Sequence, residues 1–338
     1  MTIDRRTFLT MLAAGGATLA CPRPARAKAW RPALPSWGMP ETLLEWKEIH
    51  EGAFVMVDMN TGGNTLVLGA KHGALLVDTK FPFLGAALRQ DALTLTEAPA
   101  LTLINTHHHG DHTGGNAAFL PKDPIYAHEK AIARVSGQLG QYVSAAKGGP
   151  GQLSRAGASE ALLGLATDMA KRADDLTPED FTPTHALAVD GMLVEFGDRR
   201  VKTHHFGPGH TDNDVVVVAH DINLVHTGDL VFSGLHPYFD PPGGATAAGW
   251  LKSLEATFKL CDEETVVVPG HGVVGDRSII TAQIDYMSQL LEAVRKDIDA
   301  GVSKEDAQAK TYPFMEGLGF EQARARAIGA VYDELVGG

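Results

Sequence analysis

Residues 106–112 read Thr-His-His-His-Gly-Asp-His, which puts four groups able to bind a cation, His107, His109, Asp111 and His112, within six positions. His107 and His109 are two apart, so in an extended loop their side chains leave on the same side and can hold one ion. A turn at Gly110 can aim Asp111 and His112 at a neighbouring position. One short loop can thus serve two metals. Imidazole with carboxylate suits Zn²⁺, and Fe or Mn accept the same ligands.

Such a cluster needs partners from elsewhere in the chain. Three candidates are His210 in Gly207-Pro208-Gly209-His210-Thr211, Asp229 in His226-Thr227-Gly228-Asp229, and His271 in Pro269-Gly270-His271-Gly272. Each ends a predicted strand and sits beside glycine, which lets the backbone turn tightly and bring a short side chain close to an ion.

This ordered set, His107-x-His109-x-Asp111-His112 followed by His210, Asp229 and His271, resembles the metallo-β-lactamase superfamily from about Phe54 to Gly272. The resemblance implies an α/β fold, an αββα sandwich of two mixed β-sheets flanked by helices, with the site at one edge between the sheets. It implies that His107, His109 and His210 hold a first zinc ion, that Asp111, His112 and His271 hold a second, and that Asp229 bridges them. Asp78, at the end of Leu75-Leu76-Val77-Asp78, matches an early strand-end aspartate that supports the ligand loop. Two ions roughly 3.5 to 4 Å apart would lower the pKa of a shared water toward about 7, and Asp111 is the catalytic residue expected to orient it.

Asp229 departs from the metallo-β-lactamases proper, which generally carry cysteine or serine there; glyoxalase II-like thioesterases, lactonases and phosphodiesterases carry the aspartate. The expected activity is therefore hydrolysis of a small-molecule ester, thioester, lactone or lactam. The alternatives are a phosphodiesterase and a non-catalytic zinc-binding periplasmic accessory protein. Di-iron redox relatives usually carry glutamate at the position of His109. His236 and Tyr238, shortly after Asp229, are the candidates for the substrate pocket.

The elements that must position these residues follow from periodicity. Short apolar strands are expected at 54–57, 65–68 and 74–77, a helix near 84–95, and a buried strand at 101–104. Further strands are expected at 193–196, 201–205, 215–219, 224–226 and 266–268. Between His112 and His210 lies an Ala-rich insertion, with a break at Gly148-Gly149-Pro150-Gly151 and a helix over 159–173. After His271 the chain turns helical, and Ile280, Ile284, Met287, Leu291, Val294 and Ile298 form one apolar stripe packed on the domain.

Arg5-Arg6-Thr7-Phe8-Leu9, a mildly apolar stretch and Ala25-Arg26-Ala27 read as a twin-arginine export signal, residues 1–27, with cleavage after Ala27 or Ala29. Residues 28–338 then form the hydrolase domain in the periplasm. Residues 1–27 carry one aspartate and four arginines, so their removal takes the net charge from −12 to −15. That surface argues against nucleic acid and anionic membranes as partners. Cys21 lies in the leader, and Cys261 alone can form no internal disulfide.

Overall fold

Alternation along the strands sorts the apolar residues of this chain onto two faces. In the computed structural model, which describes residues 40–337 except 59, 189 and 190, Leu66, Leu68, Leu75 and Val77 of one sheet pack against Val215, Val217 and Val268 of another. Their outward neighbours Val67 and Leu76 meet a helical layer that supplies Leu84, Leu88 and Leu153. Val216, Val218 and Val225 meet a second helical layer through Trp250, Leu254, Met287 and Ile328. The result is the expected αββα sandwich. The export signal expected at 1–27 lies outside the described residues.

The first sheet has the order β1 (Lys47–His50), β2 (Ala53–Met56), β3 (Thr65–Ala70), β4 (Gly73–Val77), β5 (Leu101–Ile104), β6 (Ile125–His128) and β7 (His185–Leu187). It is antiparallel up to β4 and parallel beyond it. The second sheet has the order β13-β11-β10-β9-β8, from β8 (Leu193–Phe196), β9 (Arg199–His204), β10 (Val216–Ala219), β11 (Leu224–His226) and β13 (Val266–Val268). Its β11–β13 pair is parallel and the others antiparallel. A two-stranded ladder joins β12 (Phe232–Ser233) to β14 (His271–Gly272).

The helices are α1 (Gly85–Thr96), α2 (Gly110–Thr113), α3 (Glu129–Val135), α4 (Leu139–Arg155), α5 (Glu160–Lys171), α6 (Ala247–Phe258), α7 (Ser278–Asp299), α8 (Lys304–Gln308) and α9 (Arg324–Gly337). In α5, the Ser159 side chain accepts from the backbone N–H of Leu162, an N-cap that starts the helix where the sequence predicts it. On α7 the expected stripe is shifted slightly: Ile280, Met287 and Val294 are buried, Ile284, Leu291 and Ile298 half-buried, and Tyr286 and Leu290 complete the face.

Two expectations for the 112–210 segment are corrected. The Gly148–Gly151 run is no break but lies inside α4. Tyr142, Ala146, Gly149 and Leu153 recur there at spacings of three and four and are buried. Tertiary packing of that stripe outweighs the local cost of glycine and proline. Nor is the segment only an insertion over one end of the sheet, since it contributes β6 and β7, which extend the first sheet by parallel pairing.

Candidate metal centre

The ligand residues come from loops at one end of the two sheets. β5 runs into the 106–112 loop, β11 into Asp229, and β13 into the turn carrying His271, while His210 precedes β10. These loops bring two donor groups together. His107 Nε2 lies 3.1 Å from His109 Nδ1, which lies 3.0 Å from His210 Nε2. Asp229 Oδ2 closes this group at 3.4 Å from His210 and 3.8 Å from His107. In the second group, His271 Nε2 is 3.3 Å from both His112 Nε2 and Asp111 Oδ2. Asp229 reaches this group as well, Oδ1 at 3.2 Å from His112 and Oδ2 at 3.3 Å from His271. Asp229 thus faces both groups.

The far side of each ring decides what the near side can do. His112 Nδ1 donates to Asp78 Oδ2 at 2.7 Å, His210 Nδ1 to the Tyr238 carbonyl at 2.8 Å, and His109 Nε2 to Asp240 Oδ2 at 2.9 Å. His107 Nδ1 sits 3.0 Å from Thr106 Oγ1, whose own proton goes to Asp78 at 2.7 Å. The converging nitrogens of His107, His109 and His210 are therefore lone pairs facing lone pairs, which no hydrogen bond between them can satisfy. Asp229 Oδ1 is also buried without a hydrogen-bond partner. A cation answers both: tetrahedral Zn²⁺ bonds of about 2.0 to 2.1 Å set neighbouring ligand atoms about 3.3 Å apart. These residues fit a pair of such ions.

Electrostatics divides the two groups. Burial, with the neighbouring His112, holds His107 well below the ordinary histidine range, and burial pushes His210 down to about 3. Both are neutral, as metal binding requires. At His271 burial is outweighed by Asp229 and Asp111, which push it up to about 9, and the same two carboxylates with Asp78 raise His112. That half of the site attracts positive charge. Burial would raise Asp111 and Asp229, but the facing histidines, chiefly His112 for Asp111 and His271 for Asp229, hold both well below the carboxylate range.

Two glycines admit this geometry. A Cβ on Gly63 would stand 2.0 Å from His112 Cε1, and one on Gly270 would stand 2.0 Å from Asp229 Oδ1. Gly63 is held in turn by Lys80, whose Nζ donates to its carbonyl at 2.7 Å. Lys80 is fully buried, and burial, partly offset by Asp58 and Asp111, pushes its ammonium down to about 8.

Tyr238 lines the cavity over the site. His236 does not. It is buried and bonds Tyr286 Oη at 3.0 Å and Glu321 Oε2 at 3.2 Å, because the chain turns between it and Tyr238. Its role is to tie the Tyr238 wall to the C-terminal segment. Three supporting residues carry no signal in local spacing: Asp240, Lys80, and Asp214, which accepts from Thr211 N at 2.9 Å and Thr211 Oγ1 at 2.6 Å to fix the turn after His210. Of the remaining histidines, His108 is buried against Asn213, His205 bonds the Asp214 carbonyl, and His226 is buried behind Gly228. Cys261 is buried beside α6, with its Sγ 3.6 Å from the Thr257 carbonyl.

Comparison with known proteins identifies the family. The family model described as the metallo-beta-lactamase superfamily matches residues 59–271. The chain is 25% identical over 228 residues to a metallo-beta-lactamase type 2 of Bacillus cereus, covering 66% of this chain and 72% of that one. Among solved structures, a stereoselective inverting sec-alkylsulfatase from Pseudomonas sp. aligns with a TM-score of 0.64 at 15% identity, over 87% of this chain. This chain spans 50% of the sulfatase's length. A metallo-beta-lactamase from Pontibacter korlensis aligns with a TM-score of 0.52 at 19% identity, over 72% of this chain and 99% of that one. The family model spans well over half of the chain, and the chain belongs to the metallo-beta-lactamase superfamily, a family of metal-dependent hydrolases.

Proposed function

We propose that the chain hydrolyses a small carbonyl substrate, an ester, thioester, lactone or lactam, at a centre of two divalent ions, zinc in the first instance. The observation that carries this reading is the position of Asp229, within 3.2 to 3.8 Å of one nitrogen of each of His112, His271, His210 and His107. His107, His109 and His210 would hold one ion, Asp111, His112 and His271 the other, and Asp229 both. When bound, such a pair supplies Lewis acidity and a water acidic enough to react near neutral pH.

The chain's own groups supply orientation. Asp111 is held ionised by His112 and His271, so with Oδ2 turned toward the second group its other carboxylate oxygen would accept a hydrogen bond from the attacking water and turn the water's lone pair toward the carbonyl. The Asp78, Asp240 and Tyr238 acceptors fix the ring tautomers of His112, His109 and His210, so the donor atoms are set before substrate arrives.

The test is a screen of metal-analysed protein against a lactam, a lactone, a thioester, an aryl ester and a phosphodiester. Turnover of a carbonyl substrate, falling roughly a hundredfold or more in Asp111→Asn, is expected. Undiminished activity in that variant would contradict the role of Asp111. Turnover of none would favour the accessory protein, and turnover of the phosphodiester alone the phosphodiesterase. The proposal also places the enzyme in the periplasm, on the strength of Arg5-Arg6 and the residues after it. Replacing both arginines with lysine is expected to block export.

A further inference from the structure

We infer that the cavity over the metal centre selects an uncharged, largely apolar acyl or aryl substrate and discriminates against one carrying a carboxylate, phosphate or sulfate near the scissile bond. This inference rests on the hydrolase reading above and names its substrate class.

The cavity has a volume of about 450 Å³, the size of a small-molecule site, and five aromatic side chains stand around it: Phe81, Tyr142, Phe232, Tyr238 and Phe320. Phe81, Tyr238 and Phe320 are half-buried and present ring surface, while Tyr142 and Phe232 are buried and back the wall. Tyr142 Oη is engaged by Thr113 Oγ1 at 2.6 Å. Phe232 stacks on His271 with ring centroids 5.2 Å apart and an interplanar angle of 14°. Phe320 keeps φ at +60°, a left-handed conformation uncommon for a bulky residue, and its ring lies 6.5 Å from that of Tyr238. Glu321, the next residue, is the partner of buried His236. The strained position of Phe320 is thus anchored, and observed strain of this kind points to a functional constraint.

Charge points the same way. Among the described residues no lysine or arginine lines the cavity, whereas Asp111, Asp229 and Asp240 do. The neighbouring cations have partners outside the cavity lining or behind it: Lys80 donates to the Gly63 carbonyl, Arg324 pairs with Glu321, and Arg326 donates to the Phe239 carbonyl and lies over the Tyr238 ring, 4.4 Å from its centroid. Two bound divalent ions would bring four positive charges, met by the carboxylates of Asp111 and Asp229 and, behind the ligand rings, by those of Asp78 on His112 and Asp240 on His109. A substrate anion would leave water without a counter-charge supplied by the chain, which is unfavourable. An apolar acyl or aryl group would instead be buried against the rings.

The experiment compares two esters of equal acyl length, 4-nitrophenyl butyrate and mono-4-nitrophenyl succinate, on the metal-loaded protein. Binding of their amide counterparts, N-phenylbutyramide and N-phenylsuccinamic acid, is measured in parallel by calorimetry. The expected result is a kcat/KM at least tenfold higher for the butyrate ester and tighter binding of the neutral amide. In Gln141→Arg, which places a cation on the exposed α4 residue at the cavity wall, the preference is expected to shrink or reverse. Equal or better use of the succinate ester, or tighter binding of the succinamic acid, would overturn the inference. Turnover of neither ester would count against the hydrolase reading, while the binding comparison would still decide between neutral and anionic ligands.

Discussion

His109 Nε2 lies 2.9 Å from Asp240 Oδ2, a contact between residues 131 positions apart. It commits the Nε2 proton and leaves Nδ1 as the lone pair that faces His107 and His210. The remaining half of the ring's chemistry is set by a residue that ligates nothing itself.

Removing that acceptor frees the His109 ring to rotate and to adopt the other tautomer. Asp240→Ala is expected to weaken the first ion by roughly ten- to a hundredfold, the usual effect of losing such a support. Competition against a chromophoric chelator measures it. Unchanged affinity would mean that Asp240 does not orient His109.

In the proposed two-ion centre, the second ion would depend on the space that Gly63 leaves for His112. A methyl group there would overlap the ring, with Cβ 2.0 Å from Cε1. The wild type is expected to bind two ions per chain and Gly63→Ala one, with the first-site affinity little changed. Elemental analysis counts them, and two ions in the variant would refute the steric account.

Lys80 gives a pH signature. Its folded pKa, about 8, lies below the unfolded value of 10.5. Between those limits the unfolded chain binds more protons than the folded one, so stability rises with pH through that window. Below about pH 8 the buried ammonium keeps its full penalty. The stability of wild type minus that of Lys80→Met, by urea denaturation of metal-stripped protein, is therefore expected to rise from pH 8 toward pH 10.5. A difference that stays flat would place the Lys80 proton elsewhere.

His236 should act on substrate binding and leave the ions alone. His236→Ala removes the link from the Tyr238 wall to Tyr286 and Glu321. KM is expected to rise roughly tenfold, the scale of one lost buried hydrogen bond, with metal content unchanged. Loss of metal would show that His236 supports the ligands after all.

What could be read from the sequence follows from how each feature is encoded. The His107–His112 cluster, the glycine-flanked His210, Asp229 and His271, and strands such as β4 and β5 are local patterns, so spacing discloses them. Asp78 was legible only through the family resemblance. Asp240, Lys80 and Asp214 act on partners brought near by the fold, and nothing beside them in the chain marks that role. The helix through Gly148–Gly151 was obscured because its stability lies in the packing of Tyr142, Ala146 and Leu153 rather than in propensity. His236 and Tyr238 are two apart, yet one is buried behind the wall and the other forms it. Residue type gave no means of separating them.

The central claim is a two-ion centre bridged by Asp229. Anomalous diffraction at the zinc edge from crystals of the zinc-loaded protein tests it most directly. Two peaks are predicted, one among His107, His109 and His210 and one among Asp111, His112 and His271, both against the Asp229 carboxylate. A single peak, or a peak that does not touch Asp229, would contradict it.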